Sequence, residues 1–255
     1  KMGNDLILSI DAELQKKIYD SLKSKLGTLS TSRAAAVAVN PQNGKILALV
    51  SLPGFDNNQF IKGLSVEEFD NIFNNKNEPL FNRAISGLYP PGSTIKPILA
   101  SAALTEGIVD TNKQINCLGY LNLVDKFSSS IIWTHNDWKA HGLTNIIKAI
   151  AESSNVYFYT IGGGYGDVEG LGIDRIKKYL KLFGLGEISG IDLIGEKPGF
   201  IPDAQWKEET RKEHVDRVHK ELKEGKHRPC CWIGCIHRLD KPLSASIKRI
   251  LEKRN

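Results

Sequence analysis

Four side chains in this sequence have the types and spacings that acyl transfer through a serine requires. Ser93 and Lys96 stand three residues apart within Tyr89-Pro90-Pro91-Gly92-Ser93-Thr94-Ile95-Lys96-Pro97. On a helix, positions i and i+3 share a face, so the Lys96 amine can reach the Ser93 hydroxyl. A desolvated, neutral lysine takes the serine proton and leaves an alkoxide-like nucleophile, with no histidine needed. Roughly sixty residues on, Ser153-Ser154-Asn155 offers a second hydroxyl to relay a proton to a leaving amine and an amide to orient lysine and substrate. Taken alone, that tripeptide reads as a helix corner whose Ser and Asn satisfy backbone groups. Beside Ser93 and Lys96, and followed by Val156-Tyr157-Phe158-Tyr159, it reads as the second half of a catalytic constellation.

Such chemistry needs elements that hold the groups. Pro97 fits only near a helix start, which puts Ser93 at the amino end, where unpaired N–H groups and the helix dipole favour negative charge. The apolar run Ile98, Leu99, Ala102 and Leu104 continues that helix over 94–106. Leu6–Ile10 reads as a strand, and Asp11 caps a helix reaching Leu26. Residues 34–39 and 45–52 flank Pro41-Gln42-Asn43-Gly44, a hairpin signal. Further helices are expected at 58–74, 144–152, 155–162 and 170–183, the last stopped by Gly184, with loops and short strands over 107–143. Gly162-Gly163-Gly164 lacks the strand and the Gly-Lys-Ser/Thr context of a phosphate cradle and reads as a flexible helix exit. His135 and His141 lie near Asp137; satisfied or solvated histidines are the expectation there, ahead of a loop metal site. The class is α/β.

The likeness extends beyond the motifs. Gly3 to Leu6, Asn40 to Val50, Asn82 to Ile85, Trp138 to Gly142, Phe183 to Gly186, Gly190 to Leu193 and Gly199 to Pro202 resemble segments of class B penicillin-binding proteins, most of all the elongation-type transpeptidases. The resemblance covers about residues 3–206. It implies a serine-acylating transpeptidase/β-lactamase-like fold, an antiparallel sheet flanked by helices. It also implies a D,D-transpeptidase that cross-links peptidoglycan stem peptides. Ser93 would attack the D-Ala-D-Ala end, Lys96 would be the base, Ser153 the proton relay, and Asn155 would orient Lys96 and the donor peptide. β-Lactams would acylate the same serine. The implied partners are peptidoglycan stem peptides, β-lactams and other cell-wall elongation proteins, with no cofactor, no metal and no nucleic acid. The implied location is the extracytoplasmic face of the bacterial cell membrane, with the anchor outside this chain.

One family feature is missing. The third motif, Lys-Thr/Ser-Gly on a strand beside the serine, occurs nowhere in the sequence, and Lys197-Pro198-Gly199 is only a look-alike, since proline cannot donate to a sheet ladder. The resemblance gives the family sheet five strands, two of them here in the 34–52 hairpin and three in the segment carrying the third motif. The expectation is therefore an incomplete domain of marginal stability, short of one oxyanion-hole donor. The alternatives to an active transpeptidase are a catalytically inactive penicillin-binding remnant or binding domain and, more remotely, an RNA-modifying fragment.

The likeness stops near Trp206-Lys207, dividing the chain into a transpeptidase-like domain, 1–206, and a basic Cys/His-containing tail, 207–255. The tail holds 14 Lys and Arg against 8 Asp and Glu, so it carries +6 of a net +5 and the remainder −1. Such a break is what a recombined or wrongly joined reading frame would produce, as readily as a new module. His227, Cys230, Cys231, Cys235 and His237 have zinc-ligand types, but adjacent cysteines fit no common knuckle. Disulfides would need an oxidising compartment, and Cys117 is remote. His237 to Asp240 resembles a pseudouridine-synthase motif over about ten residues, with Asp240 as its aspartate. Val215, Val218 and Leu222 give a thin apolar stripe at helical spacing, and a charged, partly helical tail is the expected form. No apolar run approaches the roughly 18–20 residues that span a bilayer, and no signal peptide is visible.

Overall fold

The computed structural model describes residues 5–124 and 132–223. They form two compact units, one built from the chain up to Pro90 with 188–199, the other from 91–187 with the chain from Phe200 onward.

In the first unit, Asp11 accepts the backbone N–H groups of Glu13 and Leu14 and so caps α1, Ala12–Leu26. The antiparallel hairpin of β1, Ala34–Val39, and β2, Ile46–Leu52, forms as the sequence predicts. Asn40 closes it by accepting from Gly44 N at 2.8 Å, and Gly44 takes the left-handed conformation. The expected strand over Leu6–Ile10 does not form. Its apolar side chains stay in solvent, Ile7 at 95% exposure, because β2 meets this segment through separate bonds instead of a ladder. Asp11 N donates to Leu47 O, and the Gln15 side-chain amide takes both backbone groups of Leu49.

The single helix expected over 58–74 is two. α2, Asn58–Lys62, stops at Gly63, whose φ is 80°, and α3, Val66–Phe73, restarts from a capping box in which Ser65 and Glu68 satisfy each other's backbone. A short helix that the sequence reading did not anticipate, α4, Arg83–Ser86, starts at Asn82. The Arg83 guanidinium is buried and donates to the carbonyls of Asn77, Glu78 and Phe81, which fixes the preceding loop. Ser86 Oγ donates to Gly195 O and so ties residues 188–199 to this unit.

The second unit holds the main core. A 3₁₀ turn, Gly92–Ile95, leads into α5, Lys96–Thr105, with Pro97 in its first turn as its chemistry demands. Two short antiparallel pairs follow. β3, Ile115–Cys117, pairs with β6, Gly142–Thr144, and β4, Tyr120–Val124, pairs with β5, Ile132–Asn136. α6, Ile146–Ala151, and α7, Asn155–Gly163, then pack with α5 around Ala100, Ala103, Cys117, Leu121, Tyr157 and Ile161. Alanines at 100, 102 and 103 let the helices approach closely.

The expected flexible helix exit at Gly162–Gly164 is instead a tight crossing. A Cβ on Gly164 would lie 2.2 Å from Glu169 O, and one on Gly170 would lie 2.2 Å from Gly164 N. α8, Gly172–Leu182, ends at Gly184 as expected, with Leu185 N reaching back to Leu180 O and Gly184 N to Lys181 O. α9, Ala204–Lys223, is started by Asp203, which accepts Trp206 N, and it runs unbroken across residues 206–207. The helix expected around Val215, Val218 and Leu222 is therefore present. His227, Cys230, Cys231, Cys235, His237 and Asp240 lie outside the described residues. Among the described residues no helix is long and apolar enough to cross a membrane.

Candidate active site

Ser93, Lys96, Ser153 and Asn155 all belong to the second unit. Ser93 lies exposed in the 3₁₀ turn, and its carbonyl accepts the backbone N–H of Lys96. Lys96 is the first residue of α5 and is buried, 8% exposed, with its amine 5.5 Å from the centre of the Phe158 ring. Nζ is 2.7 Å from Ser153 O, 2.7 Å from Asn155 Oδ1 and 3.0 Å from Ser153 Oγ. The contact the sequence led us to expect, Lys96 to the Ser93 hydroxyl, is not made: among the described residues that hydroxyl has no hydrogen-bond partner. The lysine instead points to the α6–α7 corner. Without a substrate, catalytic hydrogen bonds are often unformed, and they tighten when one binds.

Lys96 Nζ donates to all three oxygens, Ser153 O, Asn155 Oδ1 and Ser153 Oγ. The first two only accept, whereas the hydroxyl can reverse its role and donate once the amine has lost a proton. Burial pushes the Lys96 amine below its ordinary range, and the nearby Asp137 charge, acting the other way, offsets only part of that.

The corner that meets Lys96 has an unusual backbone. α6 ends with Ser154 N donating to Ala149 O at 3.0 Å and Ser153 N to Ile150 O at 3.2 Å, the same pattern that ends α8. There the left-handed position is Gly184; here it is Ser153, with φ 53°. A serine in that conformation costs of order 1–2 kcal/mol. The conformation turns both its carbonyl and its hydroxyl onto Lys96. Ser154 then caps α7 by accepting Tyr157 N at 3.3 Å.

Beneath the corner lies Asp137, which the sequence analysis placed only beside His135 and His141. Its side chain is fully buried. Oδ2 accepts Ser154 Oγ at 3.0 Å and Val156 N at 2.9 Å, and Oδ1 accepts Trp138 N at 2.9 Å. Burial alone would raise this carboxyl, but the N–H groups of Val156 and Trp138 with the Ser154 hydroxyl outweigh it and hold it below its ordinary value. His141 is buried and only half satisfied, with Nδ1 2.7 Å from Glu152 Oε2 and Nε2 without a hydrogen bond, 3.5 Å from Asp137 Oδ2, and His135 stands exposed against Tyr159. Among the described residues no group of three or more His, Cys, Asp or Glu is arranged to hold a metal.

Residues 34–216 match the penicillin-binding protein transpeptidase domain. The chain belongs to that family. Ser93, Lys96, Ser153 and Asn155 all fall inside the matched region. Over 212 residues the chain is 39% identical to the peptidoglycan D,D-transpeptidase MrdA of Acinetobacter baumannii and 36% identical to that of Escherichia coli K12, covering 82% of this chain in each case. It spans 29% and 31% of the length of those relatives. Among solved structures it superposes on PBP2 of Pseudomonas aeruginosa, in complex with WCK 5153, with a TM-score of 0.67 at 33% identity over 82% of this chain and 44% of that one. For PBP2 of Helicobacter pylori the TM-score is 0.65 at 32% identity, over 78% and 35%. The fold is thus that of the penicillin-binding transpeptidases, as the motifs implied.

Proposed function

We infer that this penicillin-binding domain carries the acylation machinery of a peptidoglycan D,D-transpeptidase, with Ser93 as nucleophile, Lys96 as base, Ser153 as proton relay and Asn155 as the orienting amide. The observation that supports this most is the buried Lys96 amine held between Ser153 O and Asn155 Oδ1. As Ser93 Oγ bonds to the D-Ala carbonyl carbon of a stem peptide, its proton passes to Lys96 Nζ. The C–N bond to the terminal D-Ala then breaks. The departing nitrogen takes a proton from Ser153 Oγ, which regains one from Lys96. An amine from a neighbouring stem attacks the ester and restores Ser93. A β-lactam follows the first half, but its leaving nitrogen stays tethered, so the acyl group persists.

The Ser93 N–H at the amino end of α5 serves the oxyanion. The Lys-Thr/Ser-Gly motif of the family is absent from these 255 residues, and one missing oxyanion donor costs on the order of 10²–10³ in rate. The alternative reading is a non-catalytic member of the family. The relatives' names, peptidoglycan D,D-transpeptidases, support a role in cell-wall synthesis for the first reading, which implies the extracytoplasmic face of the membrane, and a Helicobacter pylori PBP2 solved in complex with MreC supports a cell-wall protein partner.

Intact-mass analysis after incubation with a penicillin, on wild type and Ser93→Ala, separates the two readings. An adduct of one penicillin, lost in Ser93→Ala, is expected. A folded wild-type chain that gains no mass would leave only the non-catalytic reading.

A further inference from the structure

We propose that Asp137 is a positioning residue of the Ser93 site: its carboxylate clamps the amino end of α7 and so sets where Ser153 and Asn155 hold the Lys96 amine. The inference rests on the roles given above to Ser93 and Lys96.

Asp137 leaves β5 with its own N–H donating to Gly119 O at 2.8 Å, so its backbone is tied to the sheet side of the unit. Its buried carboxylate reaches the helical side. Oδ2 takes the Ser154 hydroxyl, the residue between Ser153 and Asn155, together with the α7 N–H of Val156. These bonds meet a helix start, where free N–H groups and the dipole favour an anion. Ser154 bridges, donating to Asp137 and accepting from Tyr157 N. One carboxylate therefore holds the residues on either side of Asn155, in the corner that meets Lys96.

His141 braces the clamp from behind. Its Nε2 lies 3.5 Å from Asp137 Oδ2, while Glu152 receives its Nδ1 and pairs with Lys139 at 3.1 Å. The titratable groups near Asp137 are thus His141, the buried Cys117 thiol and, through the corner, Lys96. Asparagine cannot replace Asp137. With Trp138 N–H on one oxygen and Ser154 and Val156 on the other, an amide nitrogen in either place would face a donor.

The test compares wild type, Asp137→Asn and Ser154→Ala in the full 255-residue chain. NMR follows the titration of the Lys96 amine and the amide resonances of residues 153–157, and penicillin acylation is measured against pH. In Asp137→Asn the Lys96 midpoint should move to lower pH, the 153–157 resonances should shift, and the high-pH acylation rate should fall by about 10²-fold, the loss a misplacement of about 1 Å causes. An unmoved Lys96 midpoint in a folded Asp137→Asn protein overturns the proposal. If that variant fails to fold, Ser154→Ala decides. It keeps the charge and removes the bridge, so a slower plateau with an unmoved midpoint supports the clamp, and a wild-type plateau overturns it. A wild type that never acylates defeats the transpeptidase reading alone, because the Lys96 titration still judges Asp137.

Discussion

Replacing Ser153 separates its backbone duty from its chemistry. Serine at 153 sits at φ 53° and bonds Lys96 through Oγ at 3.0 Å. Ser153→Ala keeps the left-handed strain and loses that hydrogen bond, a destabilisation of about 1 kcal/mol. Ser153→Gly also loses the bond but escapes strain of about 1–2 kcal/mol. Glycine's greater freedom in the unfolded chain returns about 0.4–1 kcal/mol of that gain. The glycine variant should therefore be more stable than the alanine variant by about 0.5–1 kcal/mol. In a helix interior the order is reversed, with glycine the worse by about 1 kcal/mol. Urea unfolding followed by circular dichroism measures the difference, which corresponds to about 1–4 °C in Tm for a protein of this size. Both variants should lose penicillin acylation equally, since neither has the relay hydroxyl. An alanine variant as stable as the glycine one would refute the strain argument, and acylation surviving in either would remove Ser153 from the mechanism.

Other outcomes follow from the same geometry. Lys96 titrates below its ordinary 10.5, so between its folded midpoint and 10.5 the unfolded chain binds more protons; stability and acylation should both rise with pH through that window, and an acylation limb at or above 10.5 would contradict this. Arg83→Lys leaves at least one of the three carbonyls held by the buried guanidinium unpaired, costing about 2 kcal/mol in urea unfolding; an unchanged midpoint would be the contrary result. Gly170→Ala places a Cβ 2.2 Å from Gly164 N at φ +82°, and strain plus overpacking should cost about 3 kcal/mol, read as a loss of several degrees in the melting midpoint. Phe55, Phe60, Phe69 and Phe73 touch one another yet stay part-exposed around α2 and α3, so the isolated chain should bind ANS and melt with low cooperativity; a sharp melt with negligible ANS fluorescence would show otherwise.

What the sequence determined by itself is local. Asp11 starts a helix, Gly184 stops one and Pro41 to Gly44 turns the hairpin, because each acts on backbone groups within about four residues; the caps at Ser65 and Asn82 are equally local but were not read from the sequence. The four candidate residues could be picked out for the same reason: Ser93 and Lys96 share a turn, and Ser153 and Asn155 flank one cap. Leu6–Ile10 reads as a strand from its side chains, yet a strand exists only with a ladder partner, and β2 meets this segment through Asp11 and Gln15. Only the tertiary structure decided what Lys96 touches. Its partners lie 57 and 59 residues away, and the burial that lowers its proton affinity comes from packing, which no spacing in the sequence encodes. Asp137 was unreadable on the same ground. An aspartate after a short strand is ordinary in sequence; it becomes the support of the site only once β5 ends against the first turn of α7.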